Sequence, residues 1–234
     1  MDINWKDLSV AVGFPCGSMI PWQTTISLVS TAKACERAGI PFGVDVIAGN
    51  SVVTAARDLV LTAFLRGNKS RLFWIDSDIV WTPKDFTRIL MLSSELPIIG
   101  ATYPLKTGGK AGTFIVNMLD GRSVDMNPFG CIKVRSYGLG FCCMTREVVQ
   151  RIADSTRRVT TGVGATEVYS VFRTDVLPSG VARGEDVAFF DDARALGYDV
   201  WLVPTIQLGH VGTHVYTSDP VKALGLDDLI QRKE

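Results

Sequence analysis

Short apolar runs alternate with amphipathic segments over the first hundred residues of the chain. Apolar strands are predicted at 8–14, 42–47, 71–75 and 98–101. The segments between them predict helices at 24–38 and 52–66, and a third that begins at the Thr82-Pro83 cap. This alternation is typical of a mostly parallel, Rossmann-like sheet with helices on both faces, so the pattern predicts an α/β fold.

The pattern is less regular after residue 101. Short alternating runs at 113–134 surround Asp120-Gly121, which predicts a hairpin. Residues 154–183 show no clear period, which predicts a mobile loop over the site. The regular elements predicted in this part are a strand at 138–144, helices at 145–153 and 187–196, and a strand at 199–203.

Composition restricts the class of protein. The 234 residues are 47% apolar and 21% charged, as expected of a globular chain, and the 24 basic and 24 acidic residues balance. Because a non-specific nucleic-acid binder usually carries a basic excess, such a role is disfavoured. We predict one domain over 1–234, with a nucleotide-binding half at 8–101, an acceptor and metal half at 102–216, and a tail at 217–234.

Cysteine usage and the lack of long apolar segments bear on location. The five cysteines are odd in number and show no Cys-x-x-Cys spacing, which disfavours a disulfide framework or a zinc site and favours a reducing compartment. Met1 to Asp7 lack the apolar run of a signal peptide, and no apolar stretch is long enough to span a membrane. We predict a cytoplasmic protein of a bacterial or phage-infected cell, with no transmembrane segment.

Two carboxylates follow directly after the third predicted strand. Asp76 and Asp78 flank Ser77, and residues i and i+2 of an extended chain point to the same side. Carboxylates this close repel each other unless a cation lies between them, and Mg²⁺ and Mn²⁺ favour such oxygen ligands and bind phosphate as well. The alternative is structural, with Asp78 capping a turn and Asp76 paired with an arginine.

Two later segments also carry candidate chemistry. Glu185 and Asp186 precede a predicted helix, where acids commonly stabilise the helix dipole, but where a carboxylate could also act as a general base. His210 and His214, the only histidines, share a glycine-containing segment. A neutral imidazole is a suitable third ligand for a Mn²⁺-like metal, and the alternative is a purely structural histidine.

Together these segments resemble the GT-A glycosyltransferases, especially the family 2-like branch. The resemblance spans residues 8–214 and rests on the order of its motifs, none of which is specific alone. The motifs are the strand–helix half, Asp76-Ser77-Asp78, the glycine-containing strand at 137–144, Gly-Glu-Asp-x-x-Phe-Phe at 184–190, Gly-Tyr-x-x-x-x-x-Pro at 197–204, and Leu-Gly-His-x-Gly at 208–212.

The resemblance implies a metal-dependent enzyme that moves a sugar from a nucleotide-diphosphate sugar to a hydroxyl acceptor. That acceptor would be a glycan or another biomolecule, such as a modified DNA base. Asp76, Asp78 and His210 would hold Mn²⁺ or Mg²⁺, and His214 is the substitute for His210.

The resemblance also implies catalytic and donor-binding residues. Asp186 would be the catalytic base of an inverting enzyme, and Glu185 would orient the acceptor. The residues expected to bind the nucleotide sugar are Phe14, Pro15, Arg57, Asp76, Ser77 and Asp78, while Lys106 and Lys110 could meet phosphate. For Arg57 a structural ion pair is an equal alternative. The Gln/Arg-x-x-Arg-Trp segment of processive members is absent, which disfavours polymer synthesis.

Three other classes of protein compete with this interpretation. A haloacid-dehalogenase-like phosphatase would use Asp76 as nucleophile, Asp78 as acid/base and Asp191 in a late metal motif, but its nucleophile normally follows the first strand. A nucleotidyltransferase would show a basic glycine-rich loop after the first strand, and residues 13–17 contain no basic residue. The third class is a non-catalytic carbohydrate-binding or interaction domain.

Overall fold

The computed structural model describes residues 8–106, 113–119, 124–161 and 166–231. The helices are α1 (Trp22–Arg37), α2 (Val53–Arg66), α3 (Pro83–Leu92), α4 (Arg146–Asp154), α5 (Glu185–Ala195), α6 (Pro220–Ala223) and α7 (Asp227–Gln231). The strands are β1 (Val10–Cys16), β2 (Phe42–Ala48), β3 (Arg71–Ile75), β4 (Ile79–Val80), β5 (Ile98–Gly100), β6 (Val116–Asn117), β7 (Ile132–Val134), β8 (Ser136–Tyr137), β9 (Phe141–Thr145), β10 (Arg158–Thr160), β11 (Glu167–Tyr169), β12 (Asp175–Val176), β13 (Ala182–Arg183), β14 (Val200–Leu202), β15 (Gly209–Val211) and β16 (Val215–Thr217).

A seven-stranded sheet with the order β2-β1-β3-β9-β5-β14-β7 forms the centre of the molecule. Strands β9 and β7 run opposite to the other five, so the predicted mostly parallel α/β sheet is confirmed. Strand β9 is inserted between β3 and β5, while β14 and β7 extend the same sheet beyond β5. The hairpin predicted around Asp120-Gly121 lies outside the described residues.

Side chains of the central strands alternate between two apolar layers, as the pleat of a strand requires. Leu72 and Trp74 of β3 pack with α2, α4 and α5 on one face of the sheet. Phe73 and Ile75 pack with α3 on the other face, where Phe73 stacks on Phe86 with ring centroids 4.3 Å apart. Helices therefore cover both faces, as predicted.

The segment 154–183 differs from its prediction as a loop. Its described part forms two antiparallel hairpins, β10–β11 and β12–β13. These ladders pair only two or three residues per strand, which is too short to produce a periodic signal in the sequence. The second hairpin is fixed beside α5, because Arg183 binds Asp175 through Nε at 2.8 Å and Asp191 through Nη1 at 3.0 Å.

Local helix signals account for other element boundaries. Helix α3 begins with the predicted cap, in which Thr82 Oγ1 accepts from the Asp85 N–H and Asp85 Oδ2 accepts from the Thr82 N–H. Helix α5 begins at Glu185, earlier than its apolar pattern indicates, because the two acids form its first turn. In the part of the chain that the structure describes, no helix is both long and apolar enough to cross a membrane.

Candidate active site

A cavity of about 430 Å³ opens at the carboxyl ends of β1 and β3. This is the edge at which open α/β sheets bind ligands. Eight of the predicted site residues line the cavity: Pro15, Arg57, Asp76, Ser77, Asp78, Glu185, Asp186 and His210. The chain therefore brings the acidic pair, the Glu-Asp segment and the first histidine together, although they lie far apart in the sequence.

Backbone pairing on two sides holds the Asp76-Ser77-Asp78 turn. On one side the Asp76 N–H donates to the carbonyl of Gly140 at 3.1 Å, which continues the pairing of β3 with β9. On the other side the Val211 N–H donates to the carbonyl of Asp78 at 2.7 Å, and β15 pairs with β4. This second pairing brings His210 next to the turn.

Arg57 connects three carboxylates at the inner wall of the cavity. It lies on α2, its side chain is only 3% exposed, and its guanidinium contacts Asp186 directly, Asp76 at 3.1 Å and Glu185 at 3.4 Å. Burial lowers the pKa of Arg57, but the charges of the three carboxylates raise it above its usual value. Arg57 is therefore a fixed positive charge that orients the acidic groups around it.

Tyr103 supports the same carboxylates from the opposite side and is a site residue that the sequence did not indicate. Its hydroxyl donates to Asp76 Oδ2 at 3.4 Å and accepts from the Gly140 N–H at 3.3 Å. Burial and the nearby charges of Asp76 and Asp186 raise its pKa well above the usual value, so the hydroxyl keeps its proton. A side chain at Gly140 would collide, because a Cβ there would lie 2.6 Å from Asp76 Oδ2.

His210 is oriented by a backbone carbonyl. Its Nδ1 lies 2.8 Å from the Pro104 oxygen, and since a carbonyl can only accept, Nδ1 carries the proton. The other ring nitrogen, Nε2, lies 3.5 Å from Asp78 Oδ2. In the neutral ring Nε2 is an acceptor, and two acceptors at this distance repel each other unless a cation or a proton lies between them. Metal-binding histidines are typically oriented by such a hydrogen bond at the other nitrogen.

Asp78 also contacts the ammonium group of Lys106, through the same Oδ2 atom. Burial alone raises the pKa of Asp78, but the contacts of its carboxylate with His210 and Lys106 lower it more, so the net pKa is below its usual value. Asp78 is therefore an anionic carboxylate at neutral pH.

Asp78 and His210 supply two donors, a carboxylate oxygen and an imidazole nitrogen, of the kind that divalent cations accept. The described residues contain no group of three or more His, Cys, Asp or Glu arranged for a metal, since Asp76 faces Arg57 and Tyr103. Charge favours a cation nonetheless, because four carboxylates face two basic side chains, an excess of two negative charges with His210 neutral. These groups are Asp76, Asp78, Glu185 and Asp186 against Arg57 and Lys106.

Two predicted residues lie elsewhere. The Phe14 side chain is fully buried in the core, and its neighbours Pro15 and Cys16 line the cavity instead. His214 is exposed and packs on Tyr216 with ring centroids 3.9 Å apart, so it does not join His210 at Asp78. Lys110 lies outside the described residues.

Comparison with solved structures identifies the architecture. A crystal structure of A197 from STIV matches with a TM-score of 0.55 and 18% sequence identity, over 88% of this chain and 86% of that chain. A crystal structure of GalNAc-T7 with UDP, GalNAc and Mn²⁺ matches with a TM-score of 0.52 and 10% identity, over 88% of this chain and 44% of that chain. The fold is that of the GT-A glycosyltransferases.

The likeness is confined to the fold. No protein-family model matches the sequence, and no curated protein matches it. Proteins that share a fold at identities of 10% and 18% often catalyse different reactions. The function of this chain therefore depends on the residues that line its own cavity.

Proposed function

We propose that the protein is a metal-dependent glycosyltransferase that moves a sugar from a nucleotide-diphosphate sugar to a hydroxyl acceptor. The observation that carries this proposal is the pairing of His210 Nε2 with Asp78 Oδ2 at 3.5 Å, with Nδ1 already used by Pro104. Two acceptors held in this way at an acidic cavity favour a divalent cation, and the GT-A fold supports a nucleotide-sugar diphosphate as its partner.

In this proposal Asp78 and His210 hold Mn²⁺ or Mg²⁺, and Asp76 is a neighbouring carboxylate that Arg57 and Tyr103 orient. The cation, when bound, would offset the negative charge of the diphosphate leaving group. Pro15 and Ser77, which line the same cavity, would contact the nucleotide sugar. The acceptor is proposed as a glycan or another hydroxyl-bearing biomolecule, including a modified DNA base, and the location as cytoplasmic.

We assign the role of general base to Asp186. Arg57 and the Leu139 N–H, which lies 3.2 Å from Asp186 Oδ2, fix its carboxylate in one orientation. Glu185 is the alternative base, because among the described residues Arg57, at 3.4 Å, is the one ion-pair partner of its carboxylate.

A phosphatase of the haloacid-dehalogenase type is less well supported. Such an enzyme would need Asp191 at the metal, but Asp191 pairs with Arg135 and Arg183 beside α5 and does not line the cavity. Its nucleophile would be Asp76, whose carboxylate is held by Arg57 and Tyr103.

The proposal can be tested by thermal unfolding with UDP, GDP or dTDP, each with and without Mn²⁺. We expect one nucleotide to raise Tm only when the metal is present, and Asp78→Asn to abolish the effect. Asp199→Asn is the matched control, since Asp199 is exposed and pairs with Lys133 outside the cavity. The nucleotide sugar that corresponds to the stabilising nucleotide should then be hydrolysed slowly in a metal-dependent reaction.

Two results would count against the transferase. Stabilisation that needs no metal and survives Asp78→Asn would indicate a binding domain of another kind. Turnover of phosphate monoesters with covalent phosphorylation of Asp76 would indicate the phosphatase.

A further inference from the structure

Lys106 places a positive charge at the carboxylate oxygen proposed to bind the metal. Its Nζ contacts Asp78 Oδ2, the same atom that lies 3.5 Å from His210 Nε2. A lysine in ion pair with an aspartate is common, but here the ammonium and the imidazole nitrogen converge on a single oxygen atom of the proposed metal site.

The surroundings of Lys106 hold it in this position. The Leu105 N–H donates to the carbonyl of Thr113 at 2.8 Å, which fixes the chain immediately before Lys106. The stem of Lys106 lies beside Gly212, where a Cβ would be 3.3 Å from the lysine Cδ and 3.7 Å from its Cγ. The absence of a side chain at residue 212 therefore leaves room for the lysine to reach Asp78.

The contact is also easy to break. The side chain of Lys106 is 35% exposed, and its ammonium sits on a flexible four-carbon stem that water can solvate. A divalent cation and an ammonium group cannot share one carboxylate oxygen without strong repulsion, because both charges are positive and close together. One of the two must leave when the other binds.

We propose that Lys106 is an internal competitor of the divalent cation and couples binding of the metal to binding of the diphosphate. This inference rests on the proposed function. Without nucleotide, Lys106 occupies Asp78 and weakens binding of the bare metal. A nucleoside diphosphate supplies anionic oxygens that can receive the displaced ammonium, so metal and nucleotide favour each other's binding.

The test measures metal binding itself, by the EPR signal of free Mn²⁺ titrated with protein, alone and with the nucleotide that gives the largest thermal shift. Lys106→Met should bind bare Mn²⁺ on the order of tenfold more tightly than the unmodified protein, which corresponds to about 1.4 kcal/mol. The enhancement of Mn²⁺ affinity by nucleotide should shrink by a similar factor in this variant. Lys106→Gln should behave in the same way.

Lys33→Met is the matched control, because Lys33 is an exposed lysine of α1 in the half of that helix farther from the cavity. It should leave both affinities unchanged. If Lys106→Met binds Mn²⁺ with the same or weaker affinity while Asp78→Asn abolishes binding, the competition is wrong but the metal site stands. If neither the unmodified protein nor Lys106→Met binds Mn²⁺, both this inference and the metal dependence in the proposed function fail.

Discussion

The two ends of the cavity use basic side chains in opposite ways. At the inner end, Arg57 is 3% exposed and is shared by Asp76, Glu185 and Asp186. At the outer end, Lys106 is 35% exposed, and Asp78 is its one ion-pair partner among the described residues. A buried guanidinium with several partners cannot move away without leaving their negative charges unpaired. A partly exposed ammonium can move away, because water solvates both it and its partner. The inner end is therefore suited to fixing geometry, and the outer end to exchanging one cation for another.

The largest effect is expected from removing the inner cation. Arg57→Met leaves three carboxylates together with no counter-charge, which should lower the free energy of unfolding by about 3–5 kcal/mol. Urea unfolding at neutral pH measures this loss.

Arg66→Met in the last turn of the same helix is the control for this experiment. Arg66 lies on the exposed side of α2, and its Nη2 donates to the Glu167 carbonyl at 2.8 Å. We expect this variant to lose less than about 1 kcal/mol. Equal unfolding midpoints for the two variants would contradict the fixed role of Arg57.

A substitution in the backbone beside Asp76 and Tyr103 tests the inner end of the cavity in a second way. In Gly140→Ala the new Cβ would lie 2.6 Å from Asp76 Oδ2 and 2.7 Å from the Tyr103 hydroxyl, so one of these groups must move. We expect a loss of about 2 kcal/mol in unfolding free energy and weaker nucleotide binding. Gly43 is the control position, because the nearest described side-chain atom to a Cβ there would be Lys69 Cε, at an ordinary 3.9 Å. Gly43→Ala should therefore neither destabilise the protein nor weaken nucleotide binding.

Residue-level patterns predicted which residues line the cavity better than which of them contact each other. Asp76, Asp78 and His210 could be predicted because a strand followed by acids and a glycine-flanked histidine are local signals. The contact of Arg57 with Asp186 could not, since Asp186 lies 129 residues away and only the fold brings the two together. A positively charged residue within an apolar helix was the one available signal.

Tyr103 and the order of the sheet were missed for related reasons. Tyr103 follows the carboxyl end of β5, where ligands bind, but aromatic residues in such positions are more often core residues. Strand β9 was predicted as a strand, yet nothing in its residues shows that it runs antiparallel between β3 and β5. Strand order depends on which neighbours pair, and that information is not local.

Asp58, the residue next to Arg57, contrasts with it, because this carboxylate is buried and has no basic partner among the residues that the structure describes. Its Oδ1 accepts the N–H groups of Val171 at 2.9 Å and Phe172 at 3.0 Å. Burial raises its pKa to about 6, despite these hydrogen bonds. A raised carboxyl pKa costs stability as the pH rises, so the native state should lose about 2 kcal/mol between about pH 4 and about pH 6.

Asp58→Asn keeps an oxygen acceptor for both N–H groups and removes the charge. The variant should therefore gain stability relative to the unmodified protein as the pH rises through this window, and the difference should level off above it. Urea unfolding from pH 4 to pH 8 gives this difference directly. A difference that stays constant with pH would show that the ionisation of Asp58 does not oppose folding.

The smallest effect is expected at the outer end. Lys106→Met removes a half-exposed ion pair, which typically contributes no more than about 1 kcal/mol, and the methionine stem can still pack beside Gly212. The free energy of unfolding should thus change far less than in Arg57→Met under identical urea conditions. A loss as large as that of Arg57→Met would mean that Lys106 is a structural counter-ion of Asp78, and an ammonium so tightly required could not exchange with a metal ion. A small loss, combined with tighter Mn²⁺ binding, is the pair of results that only an exchangeable cation explains.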